Sequence, residues 1–371
     1  MVAFIPPAGP PVVVPTDVDG RAVAAMPDGA TVAIARTDFG ERELTVFLDV
    51  PAGAALIDGP PLPRAPGGPD LGERQATVAP YVGVARLAIS CGGSTAGFGG
   101  QAFSWHLFGC ARAADATLVA TGADAVGQRQ YAARRHVDLR SAEVVALPDW
   151  RPMTASQVVL TSIPEAVQAA QATVVQDDGD LEWNRDFVAA PVEGASLVLT
   201  AAVVPERIAG QVDVTARSAD GAVRWIGRRA PLGLRTVVDL GSEAPPWISP
   251  ATLDAAARTV TWAYQGGGGR RPAVVLATFG LSGVDNRALR VIAPGAATTA
   301  RLPTLPVELA AWDVDAGTLG FEGGTLGVDI VGQPAYVAVA VAVDQAARAG
   351  ERQGDGLLPR DGDHAWWITG R

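Results

Sequence analysis

The stretch from Pro245 to Pro306 decides how this chain is read. It runs P-W-I-S-P at 246–250, R-T-V-T-W-A-Y at 258–264, Q-G-G-G-G-R-R at 265–271 and P-A-V-V-L-A-T-F-G at 272–280. R-A-L-R-V-I-A-P at 287–294 and T-T-A-R-L-P-T-L-P at 298–306 follow. Val260, Trp262 and Tyr264 fall on one face of an extended segment, and Thr259, Thr261 and Ala263 on the other. That period of two marks a half-buried β-strand. The glycines at 266–269 supply the positive φ angles of a hairpin reversal. The stretch predicts an all-β fold of antiparallel β-sandwich modules.

Working outward, the bulk composition supports the same class. A chain of 371 residues exceeds one ordinary sandwich, so several tandem modules are expected. With 48% hydrophobic and 18% charged residues the chain has ample core material and is not disordered. The 43 glycines and 28 prolines suit short strands joined by tight turns. A net charge of −10 argues against a nucleic-acid partner, whose phosphates need a basic surface. The chain has no lysine, which excludes a Walker A loop, a Schiff-base lysine and a Ser-x-x-Lys nucleophile.

The pattern divides the chain into a Pro-rich leader or linker at 1–15, sandwich modules at 16–147, 148–244 and 245–344, and a tail or edge strand at 345–371. In the first module Leu44, Val46, Leu48 and Val50 share a strand face. In the second, Ser162-Ile-Pro-Glu165 has the spacing of a capping box, so 164–172 reads either as a short helix or as a loop. Ser218-Ala-Asp-Gly221 reads as a hairpin turn. In the third, Tyr336–Val343 is apolar on both faces and reads as a central buried strand.

The third module, 245–344, resembles a fibronectin type III-like sandwich. Trp262 stands where that family's second strand carries its core tryptophan. Thr299–Leu305 resembles a later strand, and Tyr336–Val341 the tyrosine-bearing one. The segment 306–334 departs from the family as a large insertion. The resemblance implies an adhesion, receptor or spacer role and no catalytic residues.

Residues that could carry chemistry are scattered. Gly92-Gly-Ser-Thr-Ala-Gly97 approaches a nucleophile elbow around Ser94, but Ala96 replaces the required glycine. The three histidines, His106, His136 and His364, lack the spacing of a helical zinc site. His106 and His136 lie on solvated faces by alternation. Calcium is the metal the acidic turns would suit, through Asp17 with Asp19 and Asp313 with Asp315. Asp177–Asp180 and Asp361–Asp363 are similar, yet Asp and Gly are also ordinary turn residues. Trp105, Trp225 and Trp262 read as core anchors, whereas the adjacent Trp366 and Trp367 point to opposite faces and leave one free to stack on a sugar or a partner. The pairs Arg134-Arg135, Arg228-Arg229 and Arg270-Arg271 read as solvated turns and strand ends.

Cys91 and Cys110 bracket a glycine-rich segment, and a disulfide between them is expected. No apolar run is long enough to cross a bilayer. Met1–Pro15 lacks the features of a signal peptide, so the chain reads as cytoplasmic or as one whose leader precedes this numbering. The expected bridge favours an extracellular or cell-envelope location. The reading is a non-catalytic protein of binding, adhesion or spacing, with a protein or carbohydrate partner and no catalytic cofactor. Its alternatives are a carbohydrate-binding module and a hydrolase or lyase using acidic residues.

Overall fold

The computed structural model describes residues 1–38, 41–54, 70–90, 93–98, 100–107, 110, 112–177, 181–205, 209–218, 223–231, 234–241, 246–265, 271–281, 287–314, 324–330 and 364–370. At 93–98, 223–231 and 364–370 the description covers the backbone alone. The fold is all-β. Among the described residues the helical exceptions are two short 3-10 segments, Ala113–Asp115 and Val307–Trp312.

A twelve-stranded sheet forms the frame. From one edge it runs Glu182–Pro191, Val167–Asp177, Ala209–Ser218, Val223–Pro231, His364–Gly370 and Thr325–Ile330. It continues through Val274–Leu281, Arg287–Pro294, Glu41–Val50, Ala30–Asp38 and Val2–Ile5 to Val12–Val14. Smaller sheets lie apart from it. Arg151–Pro152, Arg129–Val137, Ala116–Ala123, Val82–Ile89 and Gly93–Phe98 make one of five strands, and Val144–Ala146, Gly72–Thr77 and Ala102–Leu107 one of three. Leu197–Val203, Thr154–Thr161 and Arg235–Asp239 form another, as do Thr252–Asp254, Thr259–Thr261 and Thr299–Arg301.

Side chains between these sheets gather into separate cores. In the first, Phe103, Trp105 and Leu107 meet Leu87, Ile89, Leu118 and Ala120, while Ser104 and His106 face outward. In the second, Val158, Leu160 and Leu199 meet Ala172, Val174, Val212 and Val214. The third joins distant parts of the chain: Ala33, Leu44, Val46 and Leu48 lie with Val260, Trp262, Val275, Phe279 and Val291. Residues of the stretch 16–147 thus enter both the first and the third core. Glu41–Val50 runs parallel to Arg287–Pro294, with Leu44 opposite Leu289 and Val46 opposite Val291. A period of two tells which face of a strand is apolar; it does not tell which strand completes the sheet.

Two further pairings are parallel, Thr154–Thr161 with Arg235–Asp239 and Gly72–Thr77 with Val144–Ala146, where antiparallel sandwiches were expected throughout. Such partners need long connections, so their neighbourhood is a matter of topology and not of local turns. The short helix considered at 164–172 is absent: Val167–Asp177 is a strand paired on both sides. Two ladders of backbone hydrogen bonds and a buried row of Ala170, Ala172 and Val174 outweigh the local capping signal.

The deciding stretch behaves as its alternation requires, but in shorter pieces. Val260 and Trp262 are buried and Thr261 and Ala263 exposed. Thr259–Thr261 pairs with Thr252–Asp254 and Thr299–Arg301, whereas Tyr264–Gln265 turns away to pair with Trp247–Ile248. Adjacent residues at that crossing serve different cores, Trp247 the second and Ile248 the third. Gly295 lets the following turn close, because a Cβ there would overlap the Pro272 carbonyl. The glycines at 266–269 and the strand expected at 336–343 lie outside the described residues.

Val274, Val275, Leu276 and Ala277 are all buried. Val275 and Ala277 enter the third core, while Val274 and Leu276 join Val32, Phe47 and Ile292 on the opposite face. An unbroken apolar run is what a strand covered on both faces demands. The segment read as an insertion supplies a strand of the same sheet, Thr325–Ile330, beside Val274–Ala277. His364–Gly370 is not an edge strand: it lies between Val223–Pro231 and Thr325–Ile330.

Glu43 holds the parallel seam electrostatically. It lies in register opposite Arg36, with which it forms an ion pair, and its Oε1 is 2.5 Å from Arg290 Nη1. Glu43→Gln keeps the shape and removes the charge between two guanidiniums. A loss of about 1.5–3 kcal/mol is expected in denaturant unfolding; a variant as stable as the parent would show that the seam rests on apolar burial alone.

Candidate binding site at a junction between cores

The middle of the five-stranded sheet is buried on both faces. Leu87, Ile89, Leu118, Ala120 and Ala132 point into the first core, while the alternate residues Ala88, Val119 and Tyr131 point out of it. There they meet Met153, Leu181, Trp183 and Val204, which come from the strands and turns around the second core. Trp183 is 2% exposed, and the Arg135 guanidinium lies 5.0 Å from its ring centroid. Arg151 lies 5.2 Å from the Tyr131 ring. Guanidinium groups over aromatic faces add cation–π attraction to this apolar seam.

Polar side chains of the hairpin Val167–Pro191 fix the junction from the second core's side. Gln176 is fully buried, donates from Nε2 to the Val204 carbonyl at 3.0 Å and accepts the Val204 N–H on Oε1 at 2.6 Å. Asn184 Nδ2 donates to the Ala202 carbonyl at 2.6 Å, and Asp186 Oδ2 accepts the Ala202 N–H at 2.6 Å. These bonds satisfy backbone groups where the strand Leu197–Val203 ends, groups that burial would otherwise leave unpaired.

Beside this seam lies a concave site of about 200 Å³. Val84, Arg86, Ala88, Val119, Thr121 and Arg129 line it from the five-stranded sheet, and Trp183, Asn184 and Arg185 from the hairpin. Alternate residues of one strand lie on one face, which is how Val84, Arg86 and Ala88 come to share the wall. Arg129 Nη2 stands 3.9 Å from Asp186 Oδ1. Sequence reading missed this constellation. Arg86, Arg129 and Trp183 are far apart in the chain, and each looks locally like an ordinary strand residue. Arg134-Arg135, read as a solvated pair, is exposed and also makes contacts: Arg134 Nη1 donates to the Ala146 carbonyl at 2.8 Å and Arg135 covers Trp183.

Among the described residues, the acidic, serine and histidine candidates singled out from sequence do not gather at one point. Asp17 Oδ1 accepts the N–H groups of Asp19 and Arg21 at 2.9 and 2.8 Å, the pattern of a side chain closing its own turn. Asp313 Oδ1 accepts from Arg258 Nη2 at 2.6 Å and from the Val314 N–H at 2.7 Å, and its Oδ2 accepts from the Leu305 N–H at 3.3 Å. Asp315 lies outside the described residues. Among those described, no group of three or more His, Cys, Asp and Glu stands close enough to hold a metal. Ser94 lies in the strand Gly93–Phe98, backbone paired opposite Ala88. Trp366 and Trp367 pair in register with Ile226 and Trp225. Cys110 is buried, no described cysteine is a free thiol, and Cys91 lies outside the described residues.

His106 and His136 take carboxylate partners on exposed faces. His136 Nδ1 is 2.8 Å from Asp115. His106 has Asp70 at 2.8 Å on Nε2 and Glu73 at 3.1 Å on Nδ1. The hydrogen bond with Asp70 is the chief cause that raises the His106 pKa above its ordinary 6.5. Asp70 is lowered, first by the Gly72 N–H and then by His106. A raised histidine pKa stabilises the fold fully below 6.5, and that contribution is lost as pH rises through the folded value. The melting-temperature difference between the parent and His106→Gln should therefore be larger at about pH 5.5 than at about pH 8.5. Equal differences at the two pH values would show that the contacts do not favour the imidazolium.

Fold and junction together define a class: an all-β protein of several cores joined through shared sheets, with an arginine-lined hollow at one joint. No protein-family model matches the chain, and no curated protein matches it in sequence. Among solved structures it is similar to one from work on host cell surface retention of a 1.5-MDa bacterial ice-binding adhesin. That match has 10% identity over 62% of this chain and 98% of the other, with a TM-score of 0.15. Another is a Ca²⁺-stabilised adhesin with which an Antarctic bacterium reaches out and binds ice, at 14% identity over 88% and 85% of the two chains, again with a TM-score of 0.15. Superposition at that level carries no argument about function. No helix among the described residues is long and apolar enough to cross a membrane, a statement that leaves strands aside.

Proposed function

We propose that the chain is a non-catalytic, exported or cell-envelope protein that works by binding, adhesion or spacing. The observation that supports this reading is the junction around Trp183. A spacer or adhesive arm must hold successive units at a fixed attitude. Here the outer face of one sandwich is closed by buried residues of the next and bound by guanidinium–aromatic contacts. Inter-unit contacts that are small and polar would leave the units free to move. The proposed units are one around the first core, one around the second, and a discontinuous one that combines the first 50 residues with those from Ile248 onward. The Cys91–Cys110 bridge belongs to the same proposal, and labelling of both thiols in oxidised, folded protein would remove it.

For the discontinuous unit we keep the fibronectin III-like reading. Thr252–Asp254, Thr259–Thr261 and Thr299–Arg301 are neighbours in one sheet, and Val274–Leu281, Thr325–Ile330 and His364–Gly370 in another. These neighbourhoods support a sandwich with A-B-E and C-F-G sheets, but with Thr325–Ile330, from the segment read as an insertion, and His364–Gly370, from beyond 344, in the places of the later strands. The functional test uses beads coated with the protein, passed over immobilised polysaccharide and protein surfaces, beside a panel of chromogenic esters and glycosides. Retention without turnover is expected. Turnover proportional to protein concentration would replace this reading with the hydrolase or lyase one.

A further inference from the structure

We infer that copies of this chain bind one another, the turn Asp17–Gly20 of one copy entering a second hollow, beside Arg301, of the next. The turn is a built knob. Asp17 Oδ1 accepts the N–H groups of Asp19 and Arg21 at 2.9 and 2.8 Å, and the Asp17 carbonyl accepts the Gly20 N–H at 3.0 Å. The Asp17 N–H in turn donates to the Arg21 carbonyl at 2.8 Å, and Gly20 takes a left-handed φ of +76° that closes the loop. A loop held by its own bonds loses little freedom when it docks. At its tip Val18 is 102% exposed, so the side chain touches nothing else in its own chain. Asp19 beside it is exposed, and its carboxylate has no partner among the described residues.

The hollow, of about 280 Å³, lies between the end of the strand Val2–Ile5 and the strand Thr299–Arg301. Pro6, Pro7 and Pro303 line it with apolar ring faces, each at least partly exposed. Its charged residues are Arg258 and Arg301, and no described carboxylate lines it. The two arginines differ. Arg258 Nη2 is held by Asp313 at 2.6 Å and by the Pro303 carbonyl. Arg301 is exposed at the strand's end, opposite Thr259, and its guanidinium has no partner among the described residues. In a chain of net charge −10 this is a cationic, apolar-walled hollow, and the turn is its complement. Val18 can lie against the proline rings while Asp19 meets Arg301, a guanidinium suited to paired bonds with a carboxylate. One chain carries both halves and leaves both unused, so the partner specified by this chemistry is a second copy. The two patches differ, so each contact leaves a free hollow on one copy and a free turn on the other, and association can continue.

A single turn in one hollow buries less than the roughly 1,200 Å² of a stable interface, so association is expected on the order of 0.1–1 mM. Copies arrayed on one surface reach such effective concentrations. The test is sedimentation velocity of the whole protein up to about 1 mM, in about 0.15 M salt, where repulsion between acidic copies is screened beyond about 8 Å. Asp19→Arg and Arg301→Asp, each checked for an unchanged melting curve, should separately weaken association by about tenfold or more, because each replaces an attraction by a repulsion. An equal mixture of the two variants should associate again, since the intact turn of the Arg301→Asp copy meets the intact hollow of the Asp19→Arg copy. Absence of association up to about 1 mM would overturn the inference. So would association unchanged in either folded variant, or a mixture that stays as dissociated as its parts. The Trp183 junction uses none of these residues, so its coupled unfolding and this contact stand or fall separately.

Discussion

Trp183→Ala is expected to lower stability by about 3–5 kcal/mol and to split one coupled unfolding transition into two. The indole is 2% exposed and sits among Ala88, Val119 and Tyr131 of the five-stranded sheet and Met153 and Val204, which adjoin the strands Thr154–Thr161 and Leu197–Val203 of another. Truncation would leave a cavity that neither sandwich can fill, because each keeps its own core on the far side of its sheet. Differential scanning calorimetry reads both parts of the prediction. Arg135→Ala serves as the comparison, since it removes the cation over the ring and should cost only about 0.5–1 kcal/mol. A Trp183→Ala variant that still unfolds in one transition would show that the cores are coupled elsewhere, and the rigid-joint reading would fail.

Trp262→Ala should cost a similar 3–5 kcal/mol, or about that, but its consequence falls at both ends of the chain. Trp262 is 5% exposed and lies in the core that also contains Ala3, Ala33, Leu44 and Val46. If the first 50 residues and the stretch after Ile248 form one unit, loosening that core must expose both together. Limited proteolysis followed by mass spectrometry should then find new cleavage within the first 50 residues as well as near residue 262. Cleavage confined to the neighbourhood of Trp262 would separate the amino-terminal strands from this unit. An unchanged melting curve would take Trp262 out of the core altogether.

The two tryptophans show what kind of information a sequence carries. Trp262 stands in an alternating run, so its burial follows from the period of Val260, Trp262 and Tyr264. Phe103, Trp105 and Leu107 are legible for the same reason, and so is the outward placement of His106. Trp183 also lies in a strand, but its neighbours Asn184 and Arg185 carry no apolar alternation, and its partners Val119 and Tyr131 lie more than 50 residues away. The hairpin Val167–Pro191 is obscured by the capping signal at Ser162–Glu165, which leaves only a short helix or a loop in view until two neighbouring strands are present to compete.

Taken alone, the order of residues determined that this chain is built of strands, which faces of many of them are apolar, and that it has no lysine for the chemistries that need one. These properties are local or additive, so they can be read without knowing what lies next to what. Tertiary structure alone decided that Glu41–Val50 runs beside Arg287–Pro294, that the carboxy-terminal strand bridges two halves of one sheet, and that Arg86, Arg129, Asn184 and Arg185 share a hollow. The reason is physical: an extended backbone offers the same hydrogen-bonding edge to any partner. Which strands meet, and which side chains converge, is settled only when whole faces are buried together.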